Sequence, residues 1–509
     1  MTVLKELPDN WIDATVGDIL RIRNGFAFKS NQYQEQGIPL IRQTDISESV
    51  VNISDAKLVD PLLLTKHSGF VVKKGDLLIG MSGSLGKISK YLNDEPALQN
   101  QRTGLLQIER NILVDYALYV LKYVEPQILA EGKGIAVQNV SAQEIEACKF
   151  PLAPLKEQSR IVEKLEELLS DLDAGVAELK AAQKKLVQYR QSLLKATVEG
   201  ALTAEWRKTN QPEETGTQLL DRILEQRRAN WEAKQLAKFQ QQDKTPPKGW
   251  QDKYPKPVQP DTSNLPKLPE GWVWASLDML GEIASGVAKG TKRNPEIPVR
   301  EVPYLRVANV QRGFLDLSEI KTILATEPDI AELTLQSGDI LFNEGGDRDK
   351  LGRGWIWRGE VSNCIHQNHV FRMRPFLSEI VPELISHHGN TFGKTWFQNA
   401  GKQTTNLASI NMTMLRIFPV PLAPANEQQE ILSLLQLQLE NLDRQEKSVA
   451  LGLKQSAAQR KNILKAAFSG QLVPQDPNDE PARVLLERIQ AERRMLTVSK
   501  KLLNGKRKG

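Results

Sequence analysis

A chain of 509 residues with 40% hydrophobic and 25% charged side chains is too long for one core, and too ordinary in composition for a disordered, collagenous or disulfide-stapled protein. No apolar run reaches the roughly 20 residues of a membrane span, and the opening MTVLKELPDNW carries neither the basic nor the apolar region of a signal peptide, so the expected location is the cytoplasm. Cys148 and Cys364 are too far apart for a redox motif, and the net charge of +5 comes from the central and C-terminal segments, a faint pointer to nucleic acid.

In chain order, residues 1–150 open on LPDNW and continue with short apolar runs (IPLIR, GFVV, DLLIG) bounded by Gly, Asp, Asn and Pro. That pattern predicts strands joined by turns, with a helix over 112–130, and so an α+β domain. Residues 151–241 start with PLAPLKEQ and place leucines at 165, 172, 179, 186 and 193. This seven-residue repeat predicts a coiled-coil helix from about Glu157 to Glu199, with its seam at Leu165, Leu172, Leu179, Leu186 and Leu193 and its stop at Gly200. Seven prolines within 242–270 predict a stiff linker over 242–266.

Residues 267–420 repeat the first pattern, with VPYLRV and DILFN as strands and 379–399 as helix. Residues 421–498 form a second helical repeat, with Leu435, Leu442, Val449 and Ile463 in the seam but Gln438, Gln445 and Gln459 among its partner positions. So polar a seam needs an apolar partner, and the first leucine stripe is the available one. Residues 499–509 are a basic tail containing Lys500, Lys501, Lys506, Arg507 and Lys508.

The two halves are copies. LPDNW returns as LPEGW at 268–272, GDLLIG as GDILFN, PLAPLKEQSRIV as PLAPANEQQEIL, SLLKATVEGALT as NILKAAFSGQLV, and LLDRILEQRR as LLERIQAERR, all in the same order. The fold class is therefore two α+β domains, each followed by a long helical repeat, with the two repeats paired as a coiled coil.

No catalytic constellation stands out. GSLGKIS at 83–89 lacks phosphate-loop spacing and reads as a turn, and no methyltransferase N-P-P-Y or D-P-P-Y tetrapeptide is present. Cys364, His366 and His369, with His387 and His388, have metal-like spacing, but LQNQR at 98–102 in the first half has neither Cys nor His, so no metal site is expected. What recurs is an Arg-bearing turn, a Gly-rich turn and a Gln-Asn pair. Arg, Lys, Asn and Gln are the side chains that pair with base edges. The candidates are Arg42, Thr44, Ser82, Ser84, Lys87, Gln99 and Asn100 in the first domain, and Arg306, Asn309, Asn343, Arg348, Gln367 and Asn368 in the second.

The LPxxW starts, the PLAP segments followed by Glu157-Gln158 and Glu427-Gln428, SLLKATVEGALTAEWR at 192–207 with its echo, and the final LLERIQAERR with its basic tail occur in the order that resembles the specificity subunit of type I restriction-modification systems. The resemblance covers essentially the whole chain. It implies two target recognition domains, each reading one half of a split double-stranded DNA site, separated with pseudo-twofold symmetry by the two helical repeats packed as an antiparallel coiled coil. It implies no catalytic site and no cofactor in this chain. Two methyltransferase subunits would bring S-adenosylmethionine, and restriction subunits would bring ATP, Mg and DNA cleavage. The competing readings are a self-contained restriction-methylation enzyme, which its missing motifs disfavour, and a coiled-coil scaffold that binds proteins.

Overall fold

A computed structural model of the chain describes residues 7–47, 49–131, 139–288, 297–346, 350–400, 402–403 and 408–505. It divides into two compact units, Met1–Lys180 with Ala450–Gly509, and Ala181–Val449. Among the described residues no helix is long and apolar enough to cross a membrane.

In the first unit, strand Ile12–Thr15 pairs antiparallel with Lys149–Leu152, closing the domain where the chain enters and leaves. A four-stranded antiparallel sheet runs in the order Leu20–Asn24, Thr103–Ile108, Leu77–Gly80, Ile88–Lys90. A second sheet runs in the order Tyr33–Gln34, Lys57–Val59, Ile38–Ile41, Ala97–Gln99, Val71–Val72, and its only parallel pair is Ile38–Ile41 with Ala97–Gln99. Successive side chains on a strand face opposite ways, so Ile41 and Ala97 pack towards Leu78 and Leu105 of the first sheet while Leu40 and Leu98 join Phe28 on the other face. Helix Val114–Glu131 buries Tyr116, Val120, Val124 and Ile128 along one stripe. The same core takes in Ile161 and Leu165, Leu464 and Phe468, and Leu485 and Ile489 of the C-terminal helix Ala482–Gly505.

The second unit repeats the topology. Strand Val273–Ser276 pairs with Pro419–Leu422, and the four-stranded sheet runs Gly281–Ser285, Val370–Pro375, Ile340–Asn343, Gly354–Ile356. A three-stranded sheet, Lys321–Thr326, Val299–Leu305, Ile365–His366, again has one parallel pair, the last. The helix expected over 379–399 is two helices, Pro382–Asn390 and Phe392–Ala400. Helix Gly216–Gln241 supplies Leu219, Leu220 and Ile223 to this core.

The long helices are Leu155–Val198 and Ala425–Ala467. Their pairing is antiparallel within each unit. In the first, Asp173 pairs with Arg460 and Leu179 lies against Gly452, where a Cβ would come within 3.2 Å of its Cδ1. In the second, Arg190 reaches Asp443 at 2.5 Å and Glu446 at 3.1 Å, and Leu193, Leu435 and Leu442 cluster, with Leu186 beside them. Leu165 is fully buried, Leu172, Leu179 and Val449 are half-buried, and Ile463 is buried. Gly452 thus permits close helix contact.

The Pro-rich segment lies along helix Gly216–Gln241. Trp250 stacks on Trp231 with ring centroids 5.7 Å apart, and Arg227 donates to Tyr254 Oη (2.6 Å) and Pro255 O (2.8 Å). Of the basic tail, Lys506, Arg507 and Lys508 lie outside the described residues.

The recurring sequence blocks meet in space. Trp11 Nε1 donates to Glu157 Oε2 (2.9 Å), and Trp272 Nε1 donates to Glu427 Oε2 (2.8 Å). Gln158 and Gln428 donate to Ala153 O and Ala423 O, pinning each PLAP turn to its helix. Gly470 and Gly200 have φ of +68° and +70°, and a Cβ there would overlap Pro8 at 2.4 Å and Pro269 at 2.5 Å. Each LPxxW start is therefore seated on a left-handed glycine helix end that no other residue type fills without strain.

Candidate nucleic-acid interface

In each domain, loops from both sheets gather at one edge. In the first, Gly25 lets the chain run flush against the next strand, since a Cβ there would lie 2.1 Å from Asn100 O. Phe26 N then donates to Gln99 O (3.0 Å) and Asn100 N to Ile41 O (3.0 Å), while Ser84 Oγ donates to Gln43 O (3.0 Å). Met81 N donates to Arg102 O, and Met81 O accepts from Val140 N. Segments 24–28, 42–46, 81–87 and 99–103 are thus one cluster, and it contains all seven first-domain candidates.

Burial divides those candidates. Gln99 is fully buried, and its Nε2 donates to Thr103 O (2.7 Å) and Arg23 O (3.0 Å). It braces the loop and cannot reach a base. Arg42 Nη2 turns back to Asp45 Oδ1 and Asp55 O, both at 3.4 Å, and Ser82 is buried, accepting a long 3.5 Å contact from Arg102 Nη1. Thr44 is exposed with its hydroxyl on Asp45, Asn100 is half-buried with Oδ1 on Gln101 N, and Lys87 is exposed. Exposed Gln101, Arg102 and Phe26 stand at the same edge, and the sequence reading missed all three.

The second domain is built alike. Gly286 repeats the close approach, with a Cβ 1.9 Å from His366 O. Arg306 N donates to Asn309 Oδ1, and Arg306 Nη2 reaches Glu319 Oε2 at 3.1 Å. That guanidinium hydrogen bond, helped by Lys321, holds the Glu319 carboxyl below its ordinary range. Asn309 and Asn343 are buried and donate to the carbonyls of Asp316, Glu319, Val310 and Val307, so both are braces. Arg348 lies outside the described residues. Gln367 and Asn368 are half-buried.

The Gln-Asn pairs are not equivalent. The parallel ladders set Ile41 opposite Gln99 and Leu305 opposite His366, so Gln99 corresponds to His366 and Asn100 to Gln367. His366 performs the same task as Gln99. Its Nδ1 lies 2.6 Å from Val370 O, and burial pushes its pKa down to about 4. The rest of the Cys/His cluster is dispersed. Burial pushes the Cys364 thiol up to about 12, His388 Nε2 bonds Pro419 O, and His387 lies edge-on to Trp355. Among the described residues no three His, Cys, Asp or Glu side chains converge on a metal position.

Gly25→Ala should cost on the order of 1–3 kcal/mol, as overpacking does, because the added methyl must part Phe26 from Asn100. Gly69→Ala, with open space around it, should leave the denaturant midpoint unchanged. Equal midpoints for the two variants would refute the close-approach account.

Residues 8–182 match the family described as the type I restriction modification DNA specificity domain. The chain is 26% identical over 504 residues to the type I restriction enzyme EcoBI specificity subunit of Escherichia coli, covering 96% of this chain and 94% of that one. It is 24% identical over 509 residues to the type I restriction enzyme EcoKI specificity subunit of Escherichia coli strain K12, covering 96% of each. Its fold matches a chain in a solved structure described as the structural basis underlying complex assembly and conformational transition of the type I R-M system, with a TM-score of 0.60 and 16% identity, covering 92% of this chain and 99% of that one.

Proposed function

We infer that this chain, a member of the family of type I restriction-modification specificity subunits, is the non-catalytic DNA-binding subunit of such a system. It recognises a two-part, asymmetric double-stranded sequence, with one recognition domain for each half. The carrying observation is the duplicated loop edge, since both domains gather Arg, Lys, Asn and Gln turns from two sheets at one place. The differing side chains on the shared framework suit two different half-sites.

The catalytic work belongs to partners. Two methyltransferase subunits bring S-adenosylmethionine and methylate adenine, and restriction subunits bring ATP, Mg and cleavage. The DNA they act on places the complex in the cytoplasm. Arg42, Thr44, Ser82, Ser84, Lys87 and Asn100 in the first domain, with Arg306, Gln367 and Asn368 in the second, build and border the reading edges, while Gln99, Asn309 and Asn343 hold them in shape.

Co-expression with methyltransferase subunits, followed by mapping of methylated adenines, should give one bipartite motif. Methyl transfer by the isolated chain, or methylation without sequence preference in the complex, would overturn the reading.

A further inference from the structure

The backbone hydrogen bonds register the two reading edges on each other without reference to side chains. Met81 N donates to Arg102 O (3.2 Å), and Met81 O accepts from Val140 N (3.0 Å). In the second domain Glu344 N donates to His369 O (3.0 Å), and Glu344 O accepts from Ile410 N (2.8 Å). The turn preceding each is also shared, as Thr103 N donates to Asn100 O and Val370 N to Gln367 O. Arg102 and His369 therefore occupy one backbone position, three residues beyond the buried brace Gln99 or His366, and Met81 and Glu344 occupy another.

At this position the fold leaves a polar side chain available in both domains. Arg102 is exposed, and its Nη1 lies 3.5 Å from Ser82 Oγ, at the weak limit for a hydrogen bond. His369 is 54% exposed, the most open ring among the second-domain histidines, and its Nδ1 lies 2.5 Å from Glu344 Oε2. A carboxylate on Nδ1 fixes the ring plane and turns Nε2 towards Asn368 Nδ2 at 3.4 Å, a contact weak enough for a base-edge atom to replace. Several neighbouring polar groups are spent on the framework, Gln99 on Arg23 O and Thr103 O, Arg306 on Glu319, and Asn343 on Val310 O.

We propose that Arg102 and His369 are equivalent specificity-determining residues, one for each half-site, and that Glu344 is the positioning residue for His369. Arg102 presents a fork that fits guanine O6 and N7 in the major groove. His369 presents Nε2 to a single base-edge atom, a different chemistry at the same place, and that difference lets one framework read two unlike half-sites. The proposal rests on the reading of the chain as a DNA specificity subunit.

The test is motif mapping with the complete methyltransferase complex. The wild type fixes the bipartite motif, and absence of any motif would overturn the functional reading and this proposal with it. Given a wild-type motif, Arg102→Ala should relax one guanine-bearing position of one half-site, with discrimination there falling about 10- to 100-fold. His369→Ala should relax one position of the other half-site and leave the first intact. Glu344→Ala should weaken the same position as His369→Ala, while Glu344→Gln, which keeps an acceptor for Nδ1–H, should restore it. Arg102→Lys, with the charge kept and the fork lost, should behave as Arg102→Ala. Unchanged motifs in Arg102→Ala and His369→Ala, or equal loss on all DNA, would overturn the proposal, the second outcome marking phosphate contacts instead.

Discussion

Acidification to pH 5 is expected to unfold the second unit while the first remains folded. Burial pushes His366, His387 and His388 each down to about 4, so all three rings are neutral in the folded unit at neutral pH. In the unfolded chain they take protons near 6.5. The sign follows from linkage. Between pH 6.5 and 4 the unfolded state binds protons that the folded state refuses, so stability present above 6.5 is lost as pH falls towards 4. At pH 5 the loss is roughly 2 kcal/mol per ring, and three rings approach the whole stability of an ordinary domain, about 5–15 kcal/mol. His388 is the most confined, with Nε2 on Pro419 O and its ring stacked 4.9 Å from Phe392.

The first unit responds in the opposite sense. Its Glu157 carboxyl is raised by burial, so the stability that group forfeits at neutral pH is regained as pH falls through its raised value. Denaturant titrations at pH 7 and pH 5, read by pulse-labelled hydrogen exchange on peptides from each unit, separate the two. Equal loss in both units would sink the histidine account. His366→Gln gives a sharper check, because Gln99 makes the equivalent bond to Thr103 O in the first domain. That variant should keep its stability at pH 7 and recover roughly 2 kcal/mol at pH 5.

Much of the framework was legible because its motifs are contacts. LPxxW and PLAP…EQ lie far apart in sequence, but the Trp11 indole on Glu157 and the Trp272 indole on Glu427 need one residue from each, so both blocks recur together. The leucine heptads announced the helices for the same reason, since a continuous seam has a fixed period. Which domain each terminal helix serves was not legible. Helix Ala482–Gly505 follows the second domain in the chain, yet its Arg493 donates to Glu109 Oε1, Gly17 O and Asp18 O of the first. Complementary surfaces decide that, and no local pattern carries it.

The reading edge was legible in residue type and illegible in role. Gln99 and Asn343 look like base readers because amides suit bases, but the same donors suit buried carbonyls, and only burial separates the two uses. Matching the letters Gln-Asn between the halves also slipped the register by one residue. In a strand such a slip moves every side chain to the other face, and it hid the correspondence of His366 with Gln99 and of His369 with Arg102.

Glu427→Ala should cost the second unit about 3–5 kcal/mol, as breaking one partner of a buried ion pair does. Its Oε1 accepts from Arg207 Nη1 (2.5 Å) and from the fully buried Thr203 Oγ1 (2.6 Å), while Oε2 accepts from Trp272 Nε1 (2.8 Å). The alanine strips three donors at once, and one of them is a guanidinium only 22% exposed. Arg207 is otherwise held by Gly200 O (2.6 Å) and lies over the Trp272 ring, so the loss reaches the helix end, the entry strand and the PLAP turn together. Glu157 gives the internal comparison. It serves two neutral donors, Trp11 Nε1 and Gln475 Nε2, and makes no ion pair among the described residues. Neutral hydrogen bonds are worth less than charge-assisted ones, so Glu157→Ala should cost about 1–3 kcal/mol. Burial already disfavours its charge, so Glu157→Gln should be near neutral at pH 7, whereas Glu427→Gln, which sets an amide against Arg207, should lose a measurable part of the alanine effect. Urea midpoints of the four variants, assigned to each unit by hydrogen exchange, provide the measurement. If Glu427→Gln matched the wild type, the carboxylate's charge would have no structural role and the asymmetry between the two copies of the motif would have to come from packing alone.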